Sequence, residues 1–197
     1  MIKAAFTFTY LLRTCLADEC VNGPFGDTGV FIGNPKVGPN FCASQWERGL
    51  AIVGIEVWSG KYQLKGIRFT YSDESKTPIY GTKAEDDNPQ LLRWDAQTKV
   101  ESLKMWPNGD FNSVGRIFLT LVGGKNIDVN HNSKTFSGHQ PNIDVGTGTL
   151  IGAYGNADQE HGLAMMKLLF LGDAASKVEI LDMNFGNTIQ DWNEKKK

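Results

Sequence analysis

Residues Ile52 to Tyr71 read IVGIEVWSGKYQLKGIRFTY, and this run decides the fold class. Its first part, Ile52 to Trp58, is rich in β-branched side chains and stops at Ser59-Gly60, a turn signal. Its second part, Leu64 to Tyr71, puts Ile67, Phe69 and Tyr71 on one face and Arg68 and Thr70 on the other. That period of two belongs to a half-buried strand, and two such runs this close together read as a hairpin.

Working outward, the same pattern recurs. Leu91 to Trp94, Val100 to Trp106, Arg116 to Val122, Ile127 to Asn130, Leu150 to Tyr154 and Val178 to Phe185 read as strands. Pro107-Asn108-Gly109 and Gly123-Gly124-Lys125-Asn126 supply turns between them. Leu163 to Leu171 (LAMMKLLFL) holds strong helix formers, yet Gly162 and Gly172 bracket only nine residues, a strand's length. Residues Asn22 to Gly49, punctuated by Gly and Pro, read as loop, as does Ser72 to Pro89 with its acidic run Glu85-Asp86-Asp87. Many short strands mean an all-β sandwich, barrel or prism, and periodicity does not choose among them.

The 197 residues correspond to one domain with appendages. A net charge of −2 provides no basic field for nucleic acid, and Lys195-Lys196-Lys197 reads as a solvated tail. Residues 1–17 read as a secretory signal, with Lys3, the apolar run Ala4 to Leu12 and a small-x-small site at Cys15-Leu16-Ala17; an ordinary N-terminal strand is the alternative. Secretion is the expected destination, or the cytoplasm if the leader is not a signal. Cleavage after Ala17 leaves Cys20 and Cys42, a pair able to form a disulfide in an oxidising compartment. The expected organisation is a domain over 18–175, then an extra strand and polar tail over 176–197.

Catalytic signatures are missing. His131, His139 and His161 have no metal-ligand spacing, and there is no CxxC, HExxH, P-loop or GxSxG. No enzyme, cofactor or metal is expected, although loop carboxylates are numerous enough for a glycosidase pair to be conceivable. Trp58, Tyr62, Trp94 and Trp106 lie at strand ends or in turns, where aromatic faces either stack on sugar rings or cap the core.

The run Ile52 to Tyr71 resembles the first repeat of the jacalin-related lectins. Asn22-Gly23-Pro24-Phe25-Gly26 resembles their opening glycine loop, Trp46-Glu47-Arg48-Gly49 their aromatic-acidic-glycine turn, and Ile143 to Gly152 (IDVGTGTLIG) the lead-in to their last hairpin. A closer likeness, through Trp106-Pro107-Asn108-Gly109 and Asp144-Val145-Gly146-Thr147-Gly148, is to the jacalin-like head of natterin-like, aerolysin-type pore-forming proteins, with Val178 to Phe185 as the connecting strand. The resemblance implies a β-prism I: three four-stranded antiparallel sheets about a pseudo-threefold axis. It also implies a sugar site built from the opening glycine loop and an Asp in the last hairpin.

Here the chain departs from the family. The Asp position falls on Ala164, or on Met166 in a shifted alignment, and Glu160 stands at the motif's Gly. The corresponding places in the other repeats read as Lys65 and Glu101. The expected function is therefore binding of glycans or glycoproteins through an altered site. Gly26 would supply backbone donors, and Asn156, Asp158, Glu160 and His161 polar contacts from a lengthened loop, with oligomers a source of avidity. The alternative is a sugar-blind prism that targets protein partners, such as the head of a pore-former. The twelve residues after Phe185 are too few for membrane-crossing strands of ~9–11 residues each, so no direct insertion is expected.

Overall fold

A computed structural model describes Cys20 and residues 23–26, 31–83, 88–132 and 142–172. The strands it contains are β1 (Ile32–Gly33), β2 (Asn40–Ser44), β3 (Ile52–Ser59), β4 (Leu64–Tyr71), β5 (Tyr80–Gly81), β6 (Gln90–Arg93), β7 (Val100–Pro107), β8 (Val114–Leu121), β9 (Asn126–Asn130), β10 (Asn142–Ile143), β11 (Leu150–Asp158) and β12 (Gly162–Phe170). They form three four-stranded antiparallel sheets, ordered β1-β12-β11-β2, β5-β4-β3-β6 and β10-β7-β8-β9. This is the expected β-prism.

Each sheet is organised by an inner hairpin, β3–β4, β7–β8 or β11–β12, and the three hairpins share one irregular register. Near the strand ends away from the turn, pairing skips Val53, Glu101 and Ile151. Near the turn it skips Lys65, Gly115 and Ala164. Such bulges bend a strand and increase its twist, as three sheets closing round one core require. The carbonyl of each second bulge accepts an amide from the chain leaving an outer strand: Thr82 N–H to Lys65 at 2.9 Å, His131 to Gly115 at 3.0 Å and Asn34 to Ala164 at 2.9 Å. This repetition defines the pseudo-threefold relation. It also corrects one expectation, because the second-repeat equivalent of Ala164 is Gly115, whereas Glu101 lies at the other end of β7.

The inward faces meet in a single core. Ile55, Val57, Ile67 and Phe69 come from one sheet, Leu103, Met105, Ile117 and Leu119 from the second, and Ala153, Met166, Leu168 and Phe170 from the third. Each large apolar side chain fully removed from water contributes about 1.5–3 kcal/mol.

Elsewhere the structure refines the sequence reading. The stretch read as loop over Asn22 to Gly49 contains β1, β2 and a 3₁₀ turn, Trp46–Arg48. β11 runs to Asp158 rather than stopping at Tyr154, so Asn156 is a strand residue and the turn is residues 159–161. Leu163 to Leu171 is strand despite its helix propensity, since β12 is paired on both sides. The expected strand Val178 to Phe185 and the expected signal 1–17 lie outside the described residues.

On the outer face of the β3–β4 sheet sits a buried carboxylate, Glu56, only 4% exposed. It accepts hydrogen bonds from the Arg68 guanidinium and from Lys76 Nζ at 2.7 Å. Burial pushes its carboxyl upward, but the bonds and charges of Lys76 and Arg68 together outweigh this and hold it below the usual range. A carboxyl lowered on folding contributes stability above its unfolded pKa that is lost as pH falls through the folded value. Glu56→Gln should cost on the order of 1–3 kcal/mol at neutral pH. In urea titrations from pH 7 down to pH 3, the gap between wild type and variant should close.

Candidate carbohydrate site

The turns of the three inner hairpins lie at one end of the prism, and those of β3–β4 and β11–β12 are tied together. Gln63 Nε2 donates to the His161 carbonyl at 3.0 Å, and Lys65 Nζ to that of Glu160 at 3.4 Å, joining the β3–β4 and β11–β12 turns. Asn132 N–H donates to the Gly60 carbonyl at 2.8 Å, linking the chain beyond β9 to the β3–β4 turn. Gly162, at φ 66°, makes this closeness feasible: a Cβ there would lie 2.7 Å from the Leu64 carbonyl oxygen.

Between β1 and β2, residues 34–39 form a loop that meets the β11–β12 turn. Asn34 Oδ1 accepts the Lys36 amide at 3.0 Å. Asn156, 3% exposed, donates Nδ2 to the carbonyls of Gly38 at 3.1 Å and Pro35 at 3.4 Å. Ala157 N–H donates to Pro39 O at 3.1 Å. These bonds hold the loop in place while the amides of Val37 and Gly38 donate to nothing within the described residues. Gly38 has φ 75°, and the position of a Cβ there would be 3.2 Å from Asp158 Oδ2.

Asp158 closes the turn. Its Oδ1 accepts the His161 amide at 2.5 Å, and its Oδ2 lies 3.0 Å from His161 Nδ1. The His161 amide is the main influence holding the carboxyl below its usual range, against a smaller opposing effect of burial. The group is thus a carboxylate at neutral pH, a quarter exposed, beside a half-exposed imidazole. An ionised acceptor beside a loop of backbone amides has the chemistry to hold paired hydroxyls.

The expected site residues separate into two places. Asp158, Glu160 and His161 come together, with Glu160 and His161 exposed. Asn156 adjoins them as a buried brace. Gly26 does not join them: its amide donates to the Phe170 carbonyl at 3.0 Å, at the other end of β12, roughly 25 Å away at the usual strand rise. The glycine loop that reaches the turn is residues 33–39, missed because two Gly-Pro-rich segments look alike in sequence. The distinguishing signal was Phe41 and Ala43, alternating immediately after Pro39 as a strand would.

Ala164, where the family's Asp was expected, is fully buried. Trp58 and Trp106 are buried beneath the guanidinium groups of Arg68 and Arg116, and Trp94 packs against the core, leaving Tyr62 exposed at the β3–β4 turn. Cys20 and Cys42 form a disulfide, with Cα atoms 5.9 Å apart. No cluster of three or more His, Cys, Asp or Glu able to hold a metal occurs among the described residues.

No protein-family model matches the chain, and no curated protein sequence does. Solved structures do. The lamprey immune protein is similar with TM-score 0.64 and 19% identity over 73% of this chain but only 44% of that one. Wild-type Malaysian banana lectin is similar with TM-score 0.54 and 13% identity, covering 73% of this chain and 96% of the lectin. Calsepa lectin, solved in complex with a bisected glycan, gives 0.51 and 12%, covering 72% and 94%. At these identities the likeness is one of architecture, and it agrees with the three sheets and their bulged hairpins: the chain has the β-prism fold of the jacalin-related lectins.

Proposed function

We propose that this chain is a carbohydrate-binding domain whose site has moved within the family's frame. The observation that carries this reading is Asp158: a partly exposed carboxylate where the loop of residues 34–39 meets the β11–β12 turn. Asp158 would accept sugar hydroxyls, the Val37 and Gly38 amides would donate to their oxygens, and His161 would orient the carboxylate. Glu160 and exposed Tyr62 would border the sugar. Only binding is invoked, and no reaction. The Cys20–Cys42 bridge supports an oxidising destination, hence secretion.

The sugar-blind reading has its own support. None of the three equivalent bulge positions, Lys65, Gly115 and Ala164, offers a carboxylate. The lamprey protein, in which the match covers 44% of the chain, illustrates this fold as part of something longer.

Two substitutions separate the readings. Asp158 holds the place that Asn108 holds in the β7–β8 hairpin, where Asn108 Oδ1 accepts the amides of Asn112 and Ser113. Asp158→Asn therefore keeps the cap and removes the charge. Its thermal midpoint should stay near wild type, while affinity for any glycan detected on an array falls at least about tenfold, the loss of one charge-assisted bond. Undiminished glycan binding by a folded variant would put the sugar elsewhere than Asp158, and no glycan binding by the wild type would favour the sugar-blind reading. Asn156→Ala should lower urea stability by about 1–2 kcal/mol, because two loop carbonyls lose their donor. Glycan affinity should fall with it as the loop loosens.

A further inference from the structure

Of the three hairpin tips, the β11–β12 turn is the one closed by an ionisable cap. Gly60 and Asn108 hold the places equivalent to Asp158, and neither has a side chain that titrates. At Asp158 the cap is a carboxylate, and His161 Nδ1 lies 3.2 Å from its Oδ1 and 3.0 Å from its Oδ2. The imidazole is half-exposed and the carboxylate a quarter exposed, so the pair is open to protons from solvent.

Histidine is the side chain whose charge ordinarily changes between pH 5 and 8. Asp158 stays ionised through that range, because the His161 amide holds its carboxyl low. While the imidazole is neutral, Asp158 is an anionic acceptor with no cation paired to it among the described residues. Once the ring is protonated, Nδ1 carries both a hydrogen and a share of positive charge, and it stands against both carboxylate oxygens. The turn stays shut, but its acceptor is neutralised from within. The other charged groups around the ring do not take over this part. Glu160, beside it in the turn, is exposed, and Lys65 of β4 donates to the Glu160 carbonyl at 3.4 Å. Lys61, in the β3–β4 turn, has its Nζ 4.9 Å from the centre of the Tyr62 ring, and Lys36 is exposed on the loop that meets Asp158.

We propose that Asp158 and His161 form a proton-controlled switch on ligand binding: the site holds a hydroxylated ligand while His161 is neutral and releases it when His161 is protonated. This rests on the sugar-binding reading of Asp158 and adds a condition to it, the pH at which the sugar is let go. The sign follows from competition for one carboxylate. Affinity is full above the histidine range and falls as pH drops through it. By reciprocity, a bound sugar must disfavour the proton on His161.

The test is to apply the full-length chain to a glycan array at about pH 7.5 and about pH 5.5, then titrate the free glycan of the strongest signal into labelled protein. Binding should be about three- to tenfold weaker at the lower pH, the difference between a charge-assisted and an ordinary hydrogen bond. Saturating glycan should move the imidazole titration of His161, followed by NMR, to lower pH. His161→Asn keeps an uncharged N–H donor near the Nδ1 position and cannot titrate. Whatever its affinity at pH 7.5, the ratio between the two pH values should fall close to one. His161→Gln repeats the measurement if thermal melts show the first variant unfolded at either pH. Wild-type binding that is equal or tighter at the lower pH would overturn the switch and leave the Asp158 reading standing. So would a pH dependence that survives in the folded His161 variants, which would pass the effect to another group such as buried His131. Folded wild type that binds no glycan at pH 7.5, or binding that Asp158→Asn does not weaken, would end both.

Discussion

The architecture depends on three backbone hydrogen bonds, those that bring Thr82, His131 and Asn34 onto the carbonyls of Lys65, Gly115 and Ala164. Each bulge turns a carbonyl out of its inner hairpin, and each outer strand is pinned by reaching it. Two of these approaches require glycine. Gly33 and Gly81 have φ of 103° and 87°, and a Cβ would stand 2.0 Å and 2.3 Å from the carbonyl oxygens of Ala164 and Lys65. Without that close approach β1 and β5, two residues each, would have little to hold them.

The same pinning sets the functional end. By fixing where each outer strand stops, the bulge bond fixes where the next loop begins. In the β11–β12 sheet this puts residues 34–39 against Asp158, with Asn156 as the brace. The hairpin tips themselves are closed by side-chain caps, Asn108 in one and Asp158 in another. An amide cap carries no charge, whereas a carboxylate cap keeps its charge and further lone pairs on both oxygens, so the Asp158 turn has the capacity to accept additional donors while still holding itself shut.

How much of this was legible in the sequence follows from what periodicity can report. The inner hairpins were readable because each buries an alternating face, as in Ile67, Phe69 and Tyr71. β1, β5 and β10 were not, because a two-residue strand has no period and exists through its pairing with a longer neighbour. The polar end of β11 read as loop because Asn156 and Asp158 look like turn residues; pairing with β12 and β2 keeps Asn156 extended, and a buried position makes it a brace. Gly26 and the loop 33–39 are alike in composition, and the pairing of Phe25 with Leu171 and of Gly26 with Phe170 shows that the first belongs to the far end.

The disulfide has a mechanical consequence. Cys42 lies on β2, after the loop that faces Asp158, while Cys20 lies before β1, so the cross-link brackets both. Tension applied to the chain upstream of Cys20 would pass through the sulfur atoms directly into β2, which is seated along β11. The intervening residues, including the loop 34–39 that meets Asp158, would carry none of it. A domain held by its leading end, whether to a surface or to other protein, would keep that loop's geometry under load for as long as the bridge remained oxidised.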